Sequence, residues 1–169
     1  MRIPKSTRVG LVLFGVLSAL SCSRDRPTKS DELSLNWVGT TVLYHPTEGK
    51  KDHSLLLVFA TWCGWCKKMK SVTLADTSVC RLLNESFNIA QIDPDSDSLV
   101  VYQDTTVTCR YLAGTVYDVR GYPTTVVLGK GGALVGFLSG YLEPEVFAGW
   151  LRRIRDGEFD THGVRDSWE

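Results

Sequence analysis

The chain has 169 residues, and its 19 lysines and arginines are balanced by 19 aspartates and glutamates, so its formal net charge is zero. It shows no basic stripe, which argues against a nucleic-acid-binding protein because such proteins need clustered positive charge. Its length suits a single domain that follows a short leader and is large enough to bury a hydrophobic core.

Residues 1–21 are predicted to be a signal peptide. They begin with basic residues and continue as an apolar run that is too short to span a bilayer comfortably. The run ends in Ser-Ala-Leu-Ser-Cys at 18–22, which is similar to the bacterial lipobox. Cys22 is therefore predicted to become the lipidated N-terminus of the mature protein. The alternative is an ordinary secretory peptide that is cleaved nearby and leaves Cys22 as a free thiol.

Two polar segments are predicted to flank one folded domain over residues 34–157. Residues 22–33 are the lipidated cysteine and a flexible tether, because their polar and charged side chains cannot bury much surface. Residues 158–169 are a polar C-terminal tail. These features predict an extracytoplasmic protein that its lipid holds on a membrane. In a Gram-negative envelope it would face the periplasm, and Ser23 in place of an aspartate after Cys22 favours the outer membrane.

The first half of the domain is predicted to alternate strands and helices. The continuous apolar run over residues 54–60 predicts a central strand that is buried on both faces. A helix is predicted over residues 64–72, and a second helix is predicted to be capped by Asp76 or Thr77. Residues 87–93 predict the next strand.

The second half begins with an insertion over about residues 94–109, whose β-rich part predicts a small hairpin that turns at residues 103–104. A short helix is predicted over residues 110–117. Two antiparallel strands are predicted within residues 124–138. They are followed by a C-terminal helix that has Pro144 in its first turn.

The stretch Trp62-Cys63-Gly64-Trp65-Cys66-Lys67 places two cysteines three residues apart, directly after the apolar run and at the start of a predicted helix. One helical turn brings the second cysteine over the first, so the two sulfurs can join as a disulfide or part as a dithiol. The free amides and the dipole of the helix N-terminus favour a thiolate at Cys63, and the thiolate is the form that attacks disulfides. Cys66 is better shielded and suits the resolving role.

Other roles for a Cys-x-x-Cys pair fit this sequence less well. A zinc site needs two more cysteine or histidine ligands, and the three histidines are scattered without ligand spacing. Haem attachment needs a histidine directly after the pair, where Lys67 stands. We therefore predict a redox site with no metal and no dissociable cofactor. A copper-binding module remains an alternative that would need further soft ligands nearby.

A second motif, Val119-Arg120-Gly121-Tyr122-Pro123-Thr124, follows about sixty residues later. With both motifs, the chain resembles the thioredoxin superfamily over roughly residues 35–156. A Gly-Tyr-Leu-x-Pro-x-x-Phe stretch over residues 140–147 is similar to bacterial extracytoplasmic thioredoxin-like proteins, including the SoxW-like group. The resemblance implies an α/β thioredoxin fold, in which helices flank a central mixed sheet and a small insertion precedes the cis-proline loop.

The resemblance also implies roles for individual residues. Pro123 would be cis and lie beside Cys63, and Tyr122 would offer backbone groups to an extended substrate chain. One position departs from the family pattern, because many thioredoxins carry a buried acid six residues before the first cysteine, where this chain has Leu57. In the family that acid helps to move the proton of the buried cysteine, so thioredoxin-like kinetics are not implied here.

The two tryptophans of the motif, Trp62 and Trp65, are predicted to form an apolar lip that contacts the substrate around the reactive sulfur. For Trp62 by itself, packing beneath the motif is favoured over a place in this lip, and the alternative for Trp65 is a surface aromatic residue without a role.

Five cysteines are an odd number, which needs an explanation in an exported protein. Lipidation of Cys22 and pairing of Cys63 with Cys66 leave Cys80 and Cys109. An oxidising compartment favours a structural disulfide between these two. A second redox pair that relays electrons to the first is the alternative.

These features predict a membrane-anchored thiol–disulfide oxidoreductase that reduces the disulfides of exported proteins. Its partners would be protein substrates that carry disulfides or thiols, and an electron donor such as a membrane reductase. The motif does not specify the direction of electron flow, so a disulfide oxidase or isomerase remains an alternative.

Overall fold

The computed structural model describes residues 33–45 and 51–158. The predicted signal peptide, Cys22, the tether up to residue 32 and the tail beyond residue 158 lie outside the described residues. Within the described ranges, no helix is long and apolar enough to cross a lipid bilayer.

The helices and strands follow in the order α1 (Thr41–Tyr44), β1 (His53–Val58), α2 (Gly64–Lys68), α3 (Thr77–Ser86), β2 (Phe87–Ile92), β3 (Leu99–Tyr102), β4 (Thr105–Thr108), α4 (Cys109–Tyr111), β5 (Thr124–Leu128), β6 (Leu134–Ser139) and α5 (Pro144–Arg155). Two π-helical turns, Met69–Thr73 and Leu112–Val116, extend α2 and α4. A 3₁₀ turn over Lys130–Gly132 joins β5 to β6.

Four strands form one sheet in the order β2-β1-β5-β6. Strand β1 runs parallel to β2 and antiparallel to β5, and β6 runs antiparallel to β5. The sheet is therefore mixed, and helices lie on both of its faces, which confirms the predicted α/β thioredoxin fold.

Strand β1 is central because both of its faces are apolar. Leu55 and Leu57 lie in a first core that also contains the two motif cysteines and the buried faces of α3 and α5. Leu56 and Val58 lie in a second core with residues of α1 and α4. All four side chains are fully buried, and each such burial contributes about 2 kcal/mol. The strand thus fixes the loop that follows it and carries the cysteines.

The helix ends follow the predicted capping chemistry. The Asp76 carboxylate accepts hydrogen bonds from the backbone amides of Ser78 and Val79 at 2.9 and 3.0 Å, which makes Asp76 the N-cap of α3. Helix α5 begins at Pro144 and ends before Gly157, whose φ of 74° is the left-handed conformation that glycine adopts without strain.

Strands β3 and β4 form a separate antiparallel hairpin, as predicted for the insertion. Its turn contains Gln103, with a φ of 51°, and Asp104. The acidic loop over residues 93–98, between β2 and β3, is bound to the start of α4, because the Arg110 guanidinium donates to the Asp95 carbonyl at 2.7 Å and to the Asp97 carboxylate at 3.1 Å. These hydrogen bonds hold Asp95 in a defined place near the end of β2.

Candidate active site

Cys63 occupies the N-cap of α2, directly after the loop that follows β1. Its Sγ accepts a hydrogen bond from the Cys66 backbone amide at 3.1 Å. That amide has no partner within the helix, so the sulfur takes the place of a capping oxygen. The same bond stabilises negative charge on the sulfur when the thiol loses its proton. Both thiols are free, so the structure represents the dithiol form.

The loop before β5 lies beside this sulfur. The peptide bond between Tyr122 and Pro123 is cis, and the Cys63 thiol donates to the Tyr122 carbonyl at 3.7 Å. The Pro123 carbonyl accepts from the Gly140 amide at 2.8 Å, which holds the loop after β6 against the same place. The two motifs, separated in the sequence, therefore meet at Cys63.

Cys66 is more deeply buried than Cys63, with 1% of its surface exposed against 5%. Burial raises the pKa of the Cys66 thiol to about 12, and the neighbouring Cys63 acts in the same direction. Leu57 lies in the same core and is fully buried, so β1 offers no carboxylate at the position where many thioredoxins have one. Cys66 thus stays protonated at neutral pH, which favours Cys63 as the nucleophile.

We expect a short pulse of iodoacetamide at about pH 8 to label Cys63 and to leave Cys66 unmodified, because the thiolate is the reactive form. Peptide mapping by mass spectrometry measures both positions. Equal labelling of both cysteines would contradict this assignment.

The folded protein holds the Cys66 proton more tightly than the unfolded chain does. Above the ordinary cysteine pKa, the free energy of unfolding of the reduced protein should therefore fall as the pH rises toward about 12.

Trp62 is 67% exposed, so the favoured prediction that it packs beneath the motif is wrong. Its indole nitrogen donates to the Asp95 carboxylate at 2.6 Å. Its ring meets that of Tyr122 edge to face, with centroids 6.0 Å apart. The acidic loop thereby holds one exposed aromatic ring next to the reactive cysteine.

Trp65, between the two cysteines, is 58% exposed and packs against Tyr141 with ring centroids 5.5 Å apart. The Lys68 ammonium lies 4.2 Å from the Tyr141 ring centroid and 5.3 Å from that of Trp65. Glu143 accepts from the Tyr141 hydroxyl at 2.8 Å and from Lys68 at 3.4 Å. No sequence pattern assigns Tyr141 or Glu143 to the site, because only the folded chain brings the loop after β6 to α2.

Cys80 and Cys109 are both buried free thiols, so the structure does not contain the predicted disulfide between them. Cys80 lies on α3, whose apolar face belongs to the first core, and its Sγ donates to the Leu33 carbonyl at 3.1 Å. Cys109 lies in the second core, on the other face of the sheet. A disulfide needs Cα atoms within about 7 Å, and the helices that carry the two cysteines lie on opposite faces of the sheet, which argues against both the structural disulfide and the electron relay.

The arrangement around Cys63 can carry out thiol–disulfide exchange. It combines a sulfur that accepts a hydrogen bond from a helix N-terminal amide, a buried protonated thiol one helical turn away, and a backbone carbonyl beside the first sulfur.

Two curated proteins are similar to this chain in sequence. The chain is 25% identical to a protein disulfide-isomerase of Ricinus communis over 142 residues, which cover 84% of this chain and 26% of that protein. It therefore spans about a quarter of the length of that relative, and 27% of a protein disulfide isomerase-like 1-1 of Arabidopsis thaliana.

Solved structures agree with this likeness. A thioredoxin-fold protein from Helicobacter pylori superposes with a TM-score of 0.60 at 19% identity, over 73% of this chain and 83% of that one. A thioredoxin from Thermus thermophilus gives 0.55 at 26% identity, over 72% and 87%. A family model for the thioredoxin-like domain matches residues 45–155, a range that includes Cys63, Cys66 and the cis-proline Pro123. The chain therefore belongs to the thioredoxin-like domain family.

Proposed function

We propose that the protein reduces disulfides of other proteins by thiol–disulfide exchange. The observation that carries the proposal is the position of the Cys63 sulfur, which meets the Cys66 amide at 3.1 Å and the carbonyl before the cis-proline at 3.7 Å. An extended substrate chain beside that carbonyl would bring its disulfide to the sulfur.

The exchange has two balanced steps. The Cys63 thiolate attacks one sulfur of the substrate disulfide, which forms a mixed disulfide and releases the other substrate sulfur as a thiolate. Cys66 then gives its proton to the solvent and attacks the Cys63 sulfur, which forms the Cys63–Cys66 disulfide and releases the second substrate thiolate. Two electrons pass from the dithiol to the substrate, and an external donor must restore the dithiol.

The reduction potential of the Cys63–Cys66 pair tests the direction of this reaction. Equilibration of the full chain with glutathione buffers, followed by the fluorescence of Trp62 and Trp65, measures it. A potential near −270 mV, about that of thioredoxin, is expected for a reductase. A potential near about −120 mV would instead make the pair an oxidant and would overturn the proposed direction.

We also propose that the protein works outside the cytoplasm, anchored by lipid on Cys22, and that a membrane reductase or another thioredoxin-like protein supplies its electrons. The signal-like segment and the small residue before Cys22 support the anchor. In the native host, Cys22→Ser is expected to move the protein from the membrane fraction to the soluble or unprocessed fraction. Immunoblotting of the fractions checks this, and Cys80→Ser is the matched control. Unchanged lipid-dependent membrane retention in Cys22→Ser would contradict the anchor.

A further inference from the structure

Two large aromatic rings stand exposed next to the reactive sulfur. Trp62 and Trp65 are 67% and 58% exposed, although burial of rings of this size is strongly favourable. Exposed aromatic rings are common at surfaces that another molecule contacts. Trp62 directly precedes Cys63 and Trp65 directly precedes Cys66, so a polypeptide segment that brings its disulfide to Cys63 would lie against these rings.

The ring of Trp65 is braced, which distinguishes it from a freely moving surface side chain. The Lys68 ammonium lies over both the Trp65 and the Tyr141 rings, at 5.3 and 4.2 Å from their centroids. The Glu143 carboxylate accepts a hydrogen bond from the Tyr141 hydroxyl and forms an ion pair with the Lys68 ammonium. A ring that is already fixed loses little conformational freedom when a ligand binds to it.

The braced pair is also tied to the loop that borders Cys63. Gly140, directly before Tyr141, donates its amide to the Pro123 carbonyl at 2.8 Å. A substrate chain that lies along the Tyr122 carbonyl therefore passes close to Tyr141. The charge of Lys68 is compensated by Glu143 at 3.4 Å, so the rings of Trp65 and Tyr141 present an aromatic surface without an uncompensated ammonium beside it.

We propose that Trp65 and Tyr141 form a specificity-determining wall that selects substrate disulfides flanked by an apolar or aromatic side chain. Lys68 and Glu143 act as positioning residues for the two rings. This inference rests on the proposed function and names the substrate class of the same site.

Three disulfide substrates test the wall. Two are disulfide-linked peptides that differ only in whether phenylalanine or glycine flanks the cysteine, and the third is hydroxyethyl disulfide, which has no flanking side chain. The full-length wild-type protein should reduce the phenylalanine peptide with a kcat/KM about tenfold higher than the glycine peptide. Tyr141→Ala should bring this ratio close to one, mainly through a higher KM for the phenylalanine peptide. Tyr141→Phe keeps the ring and should retain most of the preference.

Tyr111→Ala is the matched control, because Tyr111 is a 49% exposed tyrosine on α4 and should keep the wild-type ratio. If the wild-type protein reduces hydroxyethyl disulfide but shows no preference between the peptides, the wall is refuted while the proposed function stands. A preference for the phenylalanine peptide that survives in Tyr141→Ala would likewise refute the wall and leave the proposed function standing. If the wild-type protein reduces none of the three disulfides, the proposed function itself fails.

Discussion

Replacing Cys63 by serine is expected to lower disulfide-reducing activity by about a thousandfold or more, because a hydroxyl cannot supply the thiolate that attacks the substrate. Cys63 is the sulfur that meets both the helix N-terminus and the Tyr122 carbonyl, and Cys66 lies behind it in the first core. Turnover of a disulfide-linked peptide, followed by the release of its thiols, measures the loss.

Cys66→Ser gives the sharper outcome, because it removes the second step and keeps the first. The variant should accumulate a mixed disulfide between Cys63 and one half of the substrate, which intact-mass spectrometry detects as an added mass that dithiothreitol removes. Cys109→Ser is the control, since its thiol lies in the second core and should leave turnover near the wild-type rate. An adduct that forms in Cys63→Ser in place of Cys66→Ser would reverse the two roles.

Gly132→Ala is expected to lower the free energy of unfolding by about 3 kcal/mol, from left-handed backbone strain and a steric clash together. Gly132 has a φ of 80°, and an added Cβ would lie 2.5 Å from Cδ1 of Tyr44. That ring cannot easily move, because it is buried and its hydroxyl shares a 2.7 Å hydrogen bond with the hydroxyl of Tyr117. Urea denaturation measures the loss, and the melting temperature should fall by about 10 °C.

Gly131→Ala separates the two causes. Gly131 has a similar φ of 70°, but an added Cβ there would meet nothing within 4 Å. It should cost only the backbone strain, about 1 kcal/mol. Equal losses in the two variants would show that contact with Tyr44 does not matter.

Leu57 stands where many thioredoxins carry a buried acid. The second step of the exchange, in which Cys66 attacks the mixed disulfide, should therefore depend most on pH. Burial keeps the pKa of Cys66 high, and β1 provides no carboxylate to take its proton. In the mixed disulfide, release of the substrate should therefore become faster as the pH rises, until the thiolate of Cys66 is fully formed.

The sequence by itself determined the central strand and the position of the paired cysteines at a helix start, because both depend on local patterns. The apolar run over residues 54–60 predicts a strand buried on both faces, and β1 has leucines in both cores. Cys63 and Cys66 are three residues apart at a helix start, and this spacing alone brings the Cys66 amide to the Cys63 sulfur. The cap at Asp76 and the hairpin turn at residues 103–104 are equally local, and both predictions are confirmed.

Only the tertiary structure decided which distant residues meet. Elimination pairs Cys80 with Cys109, but spacing along a chain does not reveal that their helices lie on opposite faces of the sheet. Tyr141 and Trp65 carry no pattern that links them, and they meet because the order β1-β5-β6 brings the loop after β6 to the start of α2. Contacts within one helical turn follow from backbone geometry, whereas contacts across the sheet follow from the packing of the whole domain.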